Sequence, residues 1–183
     1  MYIDEAVFRE IFHKFIYIEC PDAIEGLADT LEIIDGATGV LAYCFCEDLV
    51  GTNFNLLASV RKDEKGKLVV GSRSSERYAR VRFKDVRDYE FEMADELGAD
   101  LSEYEDVPDD ILHIFESADQ KMTMLRELEL LDGGRNLELP DFISIIVAQK
   151  GSLPEVVWVR TTSFGEDEFH GTLLQPQIGR AHV

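Results

Sequence analysis

The chain predicts an α+β protein built on antiparallel sheets, and three observations lead there. Short apolar or alternating runs at 40–46, 54–60, 142–148, 156–161 and 169–174 are separated by turn residues rather than by long helical spacers. Helical periodicity is confined to three stretches, two near the start and one in the middle. The 183 residues are 45% hydrophobic and 10% aromatic, a composition that supports a packed core burying about 70% of the unfolded surface without covalent staples.

From Asp4 onward, Val7, Phe8, Ile11, Phe12 and Phe15 recur at helical spacing, with Asp4 and Glu5 at the positive end of the helix dipole. A second apolar stripe, Ile24, Leu27, Ala28, Leu31 and Ile34, opens after Cys20-Pro21-Asp22 and stops at Asp35-Gly36. Residues 15–20, between these helices, read equally as helix tail or strand. An antiparallel meander follows, with strands at 40–46 and 54–60 and a turn at Asp63-Glu64-Lys65-Gly66 into 67–71.

Residues 78–84 place Ala79, Val81 and Phe83 on one face, with Tyr78, Arg80, Arg82 and Lys84 on the other. Residues 88–93 repeat the alternation with Asp88, Glu90 and Glu92 on the polar face. A hairpin around 85–87 would pair Lys84 with Asp88, Arg82 with Glu90 and Arg80 with Glu92, a salt ladder backed by aromatic packing. A helix over 85–98 is the rival, and the strand reading is preferred.

Residues 97–106 read as an acidic surface loop. Pro108 with Asp106, Asp109 and Asp110 marks a helix start, and Ile111, Ile114, Phe115, Ala118, Met122, Leu125 and Leu128 draw one apolar face down to Gly133-Gly134. Three sequential antiparallel strands complete the chain, broken by Gly151, Pro154 and Gly165. The expected organisation is an N-terminal α+β domain over 1–98, an acidic linker over 99–106 and a helix with an incomplete antiparallel sheet over 107–177. Residues 178–183, Ile-Gly-Arg-Ala-His-Val, match the translation of a common sequencing adapter and are expected to be a non-native tail, with native sequence truncated near Gln177.

Composition narrows the function classes. The first twenty residues hold four acids and only a short apolar run, so neither a secretory signal nor a membrane span is expected, and the chain reads as cytoplasmic. Cys20, Cys44 and Cys46 are odd in number and lack CxxC spacing, which points to reduced core thiols. Net charge is −19, unevenly distributed: −9 over residues 1–60, +6 over 61–84, −14 over 85–132 and −2 over 133–183. An excess of acid repels nucleic acid and anionic lipid, and it either steers the chain toward a basic protein partner or simply keeps it soluble, the latter being the more general reading.

No arrangement for catalysis emerges. His13, His113, His170 and His182 are scattered, outside HExxH or HxH spacing, so neither a metal nor a cofactor is expected. Walker, GxGxxG, GxSxG and EF-hand patterns are absent from the sequence, and no catalytic residue is nominated. Tyr78, Arg80, Arg82 and Lys84 could engage a ligand phosphate, but the salt ladder accounts for the same residues. Trp158, the single tryptophan, is expected to anchor the last sheet, with a partner surface as its alternative role. The candidate interaction surface is therefore Tyr78, Arg80, Arg82, Lys84 and Trp158.

Three segments carry a family resemblance: Leu139-Pro140-Asp141-Phe142 leading to Ile145-Ile146-Val147, then Pro154-Glu155-Val156-Val157-Trp158-Val159-Arg160, then Phe169-His170-Gly171-Thr172-Leu173-Leu174 with Pro176. They resemble bacterial YegJ-like domains of unknown function, with a Glu-x-x-Trp-Val run followed by Gly-x-Leu and Pro. The resemblance spans about residues 107–177 and implies a small α+β module without assigned catalytic residues, of a class linked to immunity or accessory roles. The Gly-Asp turn and closing strands expected beyond the proline do not follow here. The leading expectation is a non-enzymatic acidic interaction module, with an immunity-type protein as its specific form. The alternative is a hydrolase-like enzyme whose site lies partly in missing C-terminal sequence.

Overall fold

The first apolar runs fold as strands buried on both faces, an environment that near-continuous hydrophobic sequence suits, whereas the last three runs bury one face. β1 is Phe15–Glu19, β2 Gly39–Glu47, β3 Gly51–Lys62, β4 Leu68–Val70, β5 Arg80–Arg82 and β6 Glu90–Met93. These pair antiparallel in the order β4-β3-β2-β1-β6, with β5 alongside β3. β7 (Phe142–Val147), β8 (Glu155–Phe164) and β9 (Phe169–Leu174) make a second antiparallel sheet in chain order. This computed structural model describes residues 1–74, 79–116, 120–148, 150–151, 153–165 and 168–174. The expected non-native tail and the residue Tyr78 lie outside the described residues.

Residues of β1 and β2 alternate between two cores, as period-2 geometry requires. Ile16, Ile18, Val40, Ala42 and Cys44 face one core with Ile3, Ile11, Phe54, Phe83 and Phe91. Tyr17, Leu41, Tyr43 and Phe45 face the other, with Leu57, Ala58, Tyr104, Val107 and Ile111. The register shifts between Leu41/Ala58 and Ala42/Leu56, leaving Leu57 as the extra residue of a bulge. Leu57 and Ala58 thereby join the same core, a local reorientation that bulges supply.

The N-terminal half is less helical than its periodicity predicts. The first stripe forms a 3-10 turn at Ile3–Glu5 and a single turn, α1 (Phe8–Ile11); the second forms a 3-10 turn at Ile24–Leu27. β1 claims Phe15 through Glu19 instead, because Ile16, Tyr17 and Ile18 are wholly buried between β2 and β6. Tertiary burial outweighs an intrinsic preference worth only a few tenths of a kcal/mol per residue, on the order of 0.5.

The expected hairpin of 78–84 with 88–93 does not form. β5 pairs with Asn53–Asn55 of β3, whereas β6 pairs with β1 on the opposite side of the sheet. A short helix, α2 (Phe83–Val86), carries the chain between them and buries Phe83 and Val86. The ladder of charges is therefore absent: Arg80 ion-pairs with Glu47, and Glu92 with Lys62. The alternation in 79–83 was a true sign of a strand with Ala79 and Phe83 inward, but its partner lies elsewhere in the chain.

The long middle helix divides. α3 (Val107–Ile114) packs Val107 and Ile111 onto the large sheet, while α4 (Gln120–Arg126) contributes Met122 and Leu125 to a small core with Leu131, Ile143 and Val159. The preceding acidic stretch includes a 3-10 turn at Ser102–Tyr104 that buries Tyr104 under the large sheet.

The turn between β2 and β3 is clamped to the segment before β7. The Thr52 amide donates to the Glu138 carbonyl at 2.9 Å, and the Thr52 hydroxyl to the Leu137 carbonyl. Gly51 makes this approach possible: its φ is +95°, and a Cβ there would overlap the Glu138 carbonyl oxygen. Gly51→Ala should therefore lower stability by about 1–3 kcal/mol, combining backbone strain with steric overlap, and urea denaturation followed by circular dichroism checks it.

Candidate functional site

Every strand alternates its side chains, so a sheet covered on one side must present the other outward. In the small sheet, Ile143 and Val159 face the buried side with Leu125 and Leu131. The outer side carries Ile146 opposite Val156, and Ser144 and Leu174 on either side of Trp158. Ile146 is 74% exposed, Val156 65%, and Trp158 and Leu174 each 40%. Trp158 thus stands on the open face, correcting its expected place as a core anchor. Two adjacent cross-strand pairs thus form an exposed apolar patch on an otherwise strongly charged molecule.

Arg160 shares the outer face, opposite Phe142 on one side and Thr172 on the other. Beside it the sheet meets the β2–β3 turn in a cleft of about 110 Å³, walled by Leu49, Leu139, Pro140 and Phe142, with Asp141 and Arg160 as its charged members. Leu49 is 78% exposed and holds a positive φ of 64°.

Behind the cleft lies a buried ionic joint. Arg126, at the end of α4, donates from Nε and Nη2 to the two carboxylate oxygens of Asp141, both at 2.9 Å. Nη2 also reaches Asp48 Oδ1 at 2.9 Å, and Nη1 the Cys46 carbonyl at 3.2 Å. The Arg126 side chain is 1% exposed. Burial disfavours its charge, yet the Asp141 and Asp48 carboxylates outweigh that and hold its pKa above the ordinary value. Arg135 is the counterexample nearby. Its guanidinium donates to the Pro140 and Leu125 carbonyls at 2.7 and 2.9 Å and lies over the Phe8 ring, and burial moves its pKa down despite Asp132.

The described histidines, His13, His113 and His170, are not brought together. His13 Nε2 lies 2.8 Å from Oε1 of Glu116, whose side chain is 1% exposed and also accepts from the Cys46 amide. His13 occupies the left-handed region at φ 57°, in the tight turn from α1 into β1, and stacks on Phe12. His170 sits 3.4 Å from Glu168 at the surface, and His113 is exposed on α3. Among the described residues no three or more His, Cys, Asp or Glu side chains gather as a metal site would require. All three thiols are buried. Burial pushes Cys20 up to about 11 and raises Cys44 and Cys46 as well, so they stay protonated and weakly nucleophilic at neutral pH.

The remaining sequence candidates do not join this region. Arg80 lies over the Phe115 ring at 4.4 Å besides its pair with Glu47, while Arg82 and Lys84 are exposed at β5 and α2. Arg126 and Asp141 escaped sequence reasoning, although one signal was present. Arg126 follows Met122 by four residues, which puts a cation on the apolar stripe of its helix.

Removing one side of the joint isolates the other. Arg126→Met should cost about 3–5 kcal/mol because Asp141 is left buried and uncompensated, whereas Arg126→Met combined with Asp141→Leu should recover most of the loss. Urea titrations of the single and double variants measure both.

No helix among the described residues is long and apolar enough to cross a membrane. Comparison with family models, with curated proteins and with solved structures finds no match to this chain.

Proposed function

We propose that the protein is a non-enzymatic interaction module that docks a partner on the outer face of its small sheet. The observation that carries this reading is the register of that face, which sets the pair Ile146–Val156 beside the pair Trp158–Leu174 in one exposed, mainly apolar patch. Tryptophan surrounded by aliphatic groups is the composition of binding hot spots, since it buries a large area with few rotatable bonds. The net charge of −19 favours a basic partner, steered by field and then anchored by apolar contact. An immunity-type role, in which a basic protein is occupied and blocked, is the specific form proposed. The resemblance of residues 107–177 to YegJ-like modules accords with an accessory rather than catalytic task.

Site-specific photocrosslinking from position 156 in the source cells tests it. A basic protein should be captured, capture should fall as salt rises from about 50 to 500 mM, and Trp158→Ala should reduce it at least about tenfold. The same substitution should change stability by no more than about 1 kcal/mol, since the ring is partly solvated. Capture that ignores Trp158→Ala and Ile146→Glu alike would overturn the proposal.

A second reading, a hydrolase-like enzyme, draws on the His13–Glu116 pair. A buried carboxylate that holds an imidazole by one nitrogen leaves the other free to accept a proton, the arrangement of a general base. On that reading a hydrolytic turnover by the full chain should fall about 100-fold or more in His13→Ala, assayed against a panel of ester and phosphoester substrates. Unchanged turnover in the variant removes it.

A further inference from the structure

We infer that the cleft beside Arg160 receives the C-terminal residue of a partner chain, with an apolar side chain inside and the terminal carboxylate on the Arg160 guanidinium. The inference rests on the interaction-module reading and names the chemistry one end of that face selects. Arg160 is partly buried and makes no ion pair or side-chain hydrogen bond among the described residues. Its neighbour Asp141 is already occupied by Arg126 through both oxygens. A guanidinium partly withdrawn from water beside Phe142, without a carboxylate partner among the described residues, complements an incoming anion, and its planar fork suits a carboxylate best.

Size and shape narrow the ligand. A cavity of about 150 Å³ holds one benzene, so the 110 Å³ cleft admits a single branched aliphatic side chain and falls well short of a nucleotide or a drug-sized ligand. Leu139, Pro140 and Phe142 supply apolar walls. Leu49 forms an exposed lip in the left-handed region, a conformation that costs a branched side chain energy and that clusters at binding sites. An occupant would cover it. An apolar group and a carboxylate must then both come within one residue's reach. A chain terminus meets this demand because its side chain and carboxylate share one Cα, whereas the carboxylate of an internal Asp or Glu belongs to a separate side chain. The surrounding negative field adds a preference for basic residues upstream of that terminus.

The test uses three fluorescein-labelled peptides: Gly-Lys-Gly-Lys-Val-Leu with a free carboxylate, the same peptide as its C-terminal amide, and an amidated Gly-Lys-Glu-Lys-Val-Leu whose carboxylate is internal. Anisotropy titrations with the full chain should show the free acid binding at least about tenfold tighter than either amide. Arg160→Gln should abolish that difference and Arg160→Lys should keep part of it, with unchanged circular dichroism melts confirming the fold. Equal binding of acid and amide, retention of the difference in Arg160→Gln, or absence of binding up to about 1 mM would each overturn the inference. Parity of the internal-acid peptide with the free acid would also overturn it, in favour of side-chain recognition. Trp158-dependent crosslinking reports separately on the wider face, so loss of the acid preference with that capture intact sinks the cleft alone. An acid preference that survives while capture ignores Trp158 sinks the face alone.

Discussion

Arg126 is the constraint on which the arrangement of the two sheets depends. Its guanidinium gathers the end of β2 through Cys46, the turn after it through Asp48, the segment before β7 through Asp141, and its own helix, all from a side chain that is 1% exposed. A buried charge persists only when carboxylates and carbonyls meet its donors, and that demand makes the joint directional in a way apolar packing is not. Apolar contact could let the small sheet slide over α1 and the β2–β3 turn. A guanidinium held by both oxygens of Asp141 accepts one geometry.

The joint explains why one sheet can leave a face open. β1, β2 and β3 are enclosed by two apolar cores, so their near-continuous hydrophobic sequence is satisfied within the chain. Among the described residues α4 and the 3-10 turn at Glu129–Gly134 cover the small sheet, and these occupy one side. Position is held by ions and by the clamp at Thr52 rather than by burying the second face. The apolar patch around Trp158 is then left exposed, and the cleft at Arg160 opens where that face meets the clamped turn.

The same logic of pairing governs the rest of the charge. Arg80 is neutralised by Glu47 and covered by Phe115, and Arg73 is bound by both oxygens of Asp106. Within the basic island of the sequence, those two cations stitch surface segments together. Arg160 differs from these two in lining a cleft whose neighbouring acid, Asp141, serves Arg126.

Local pattern was sufficient for the strands of the second half and for β2 to β4, because period-2 alternation and turn residues act within a few positions of each other. The antiparallel α+β class followed from them, as did the inward set Ala79, Val81 and Phe83. The hairpin failed because complementary charge at adjacent positions is worth far less than the burial of Phe83, Val86 and Phe91, which sends β5 and β6 to opposite sides of the sheet. The N-terminal helices shortened because Ile16 and Ile18 gain more between β2 and β6 than a helix can offer. By itself, then, the amino-acid order determined which residues alternate and which face is apolar. Which apolar face stays uncovered, and which acid beside Arg160 is already engaged, depended on residues such as Cys46, Arg126 and Asp141 that are about 80 and 15 positions apart. Ion pairs and layer coverage are properties of spatial neighbours, and only the folded chain creates those neighbours.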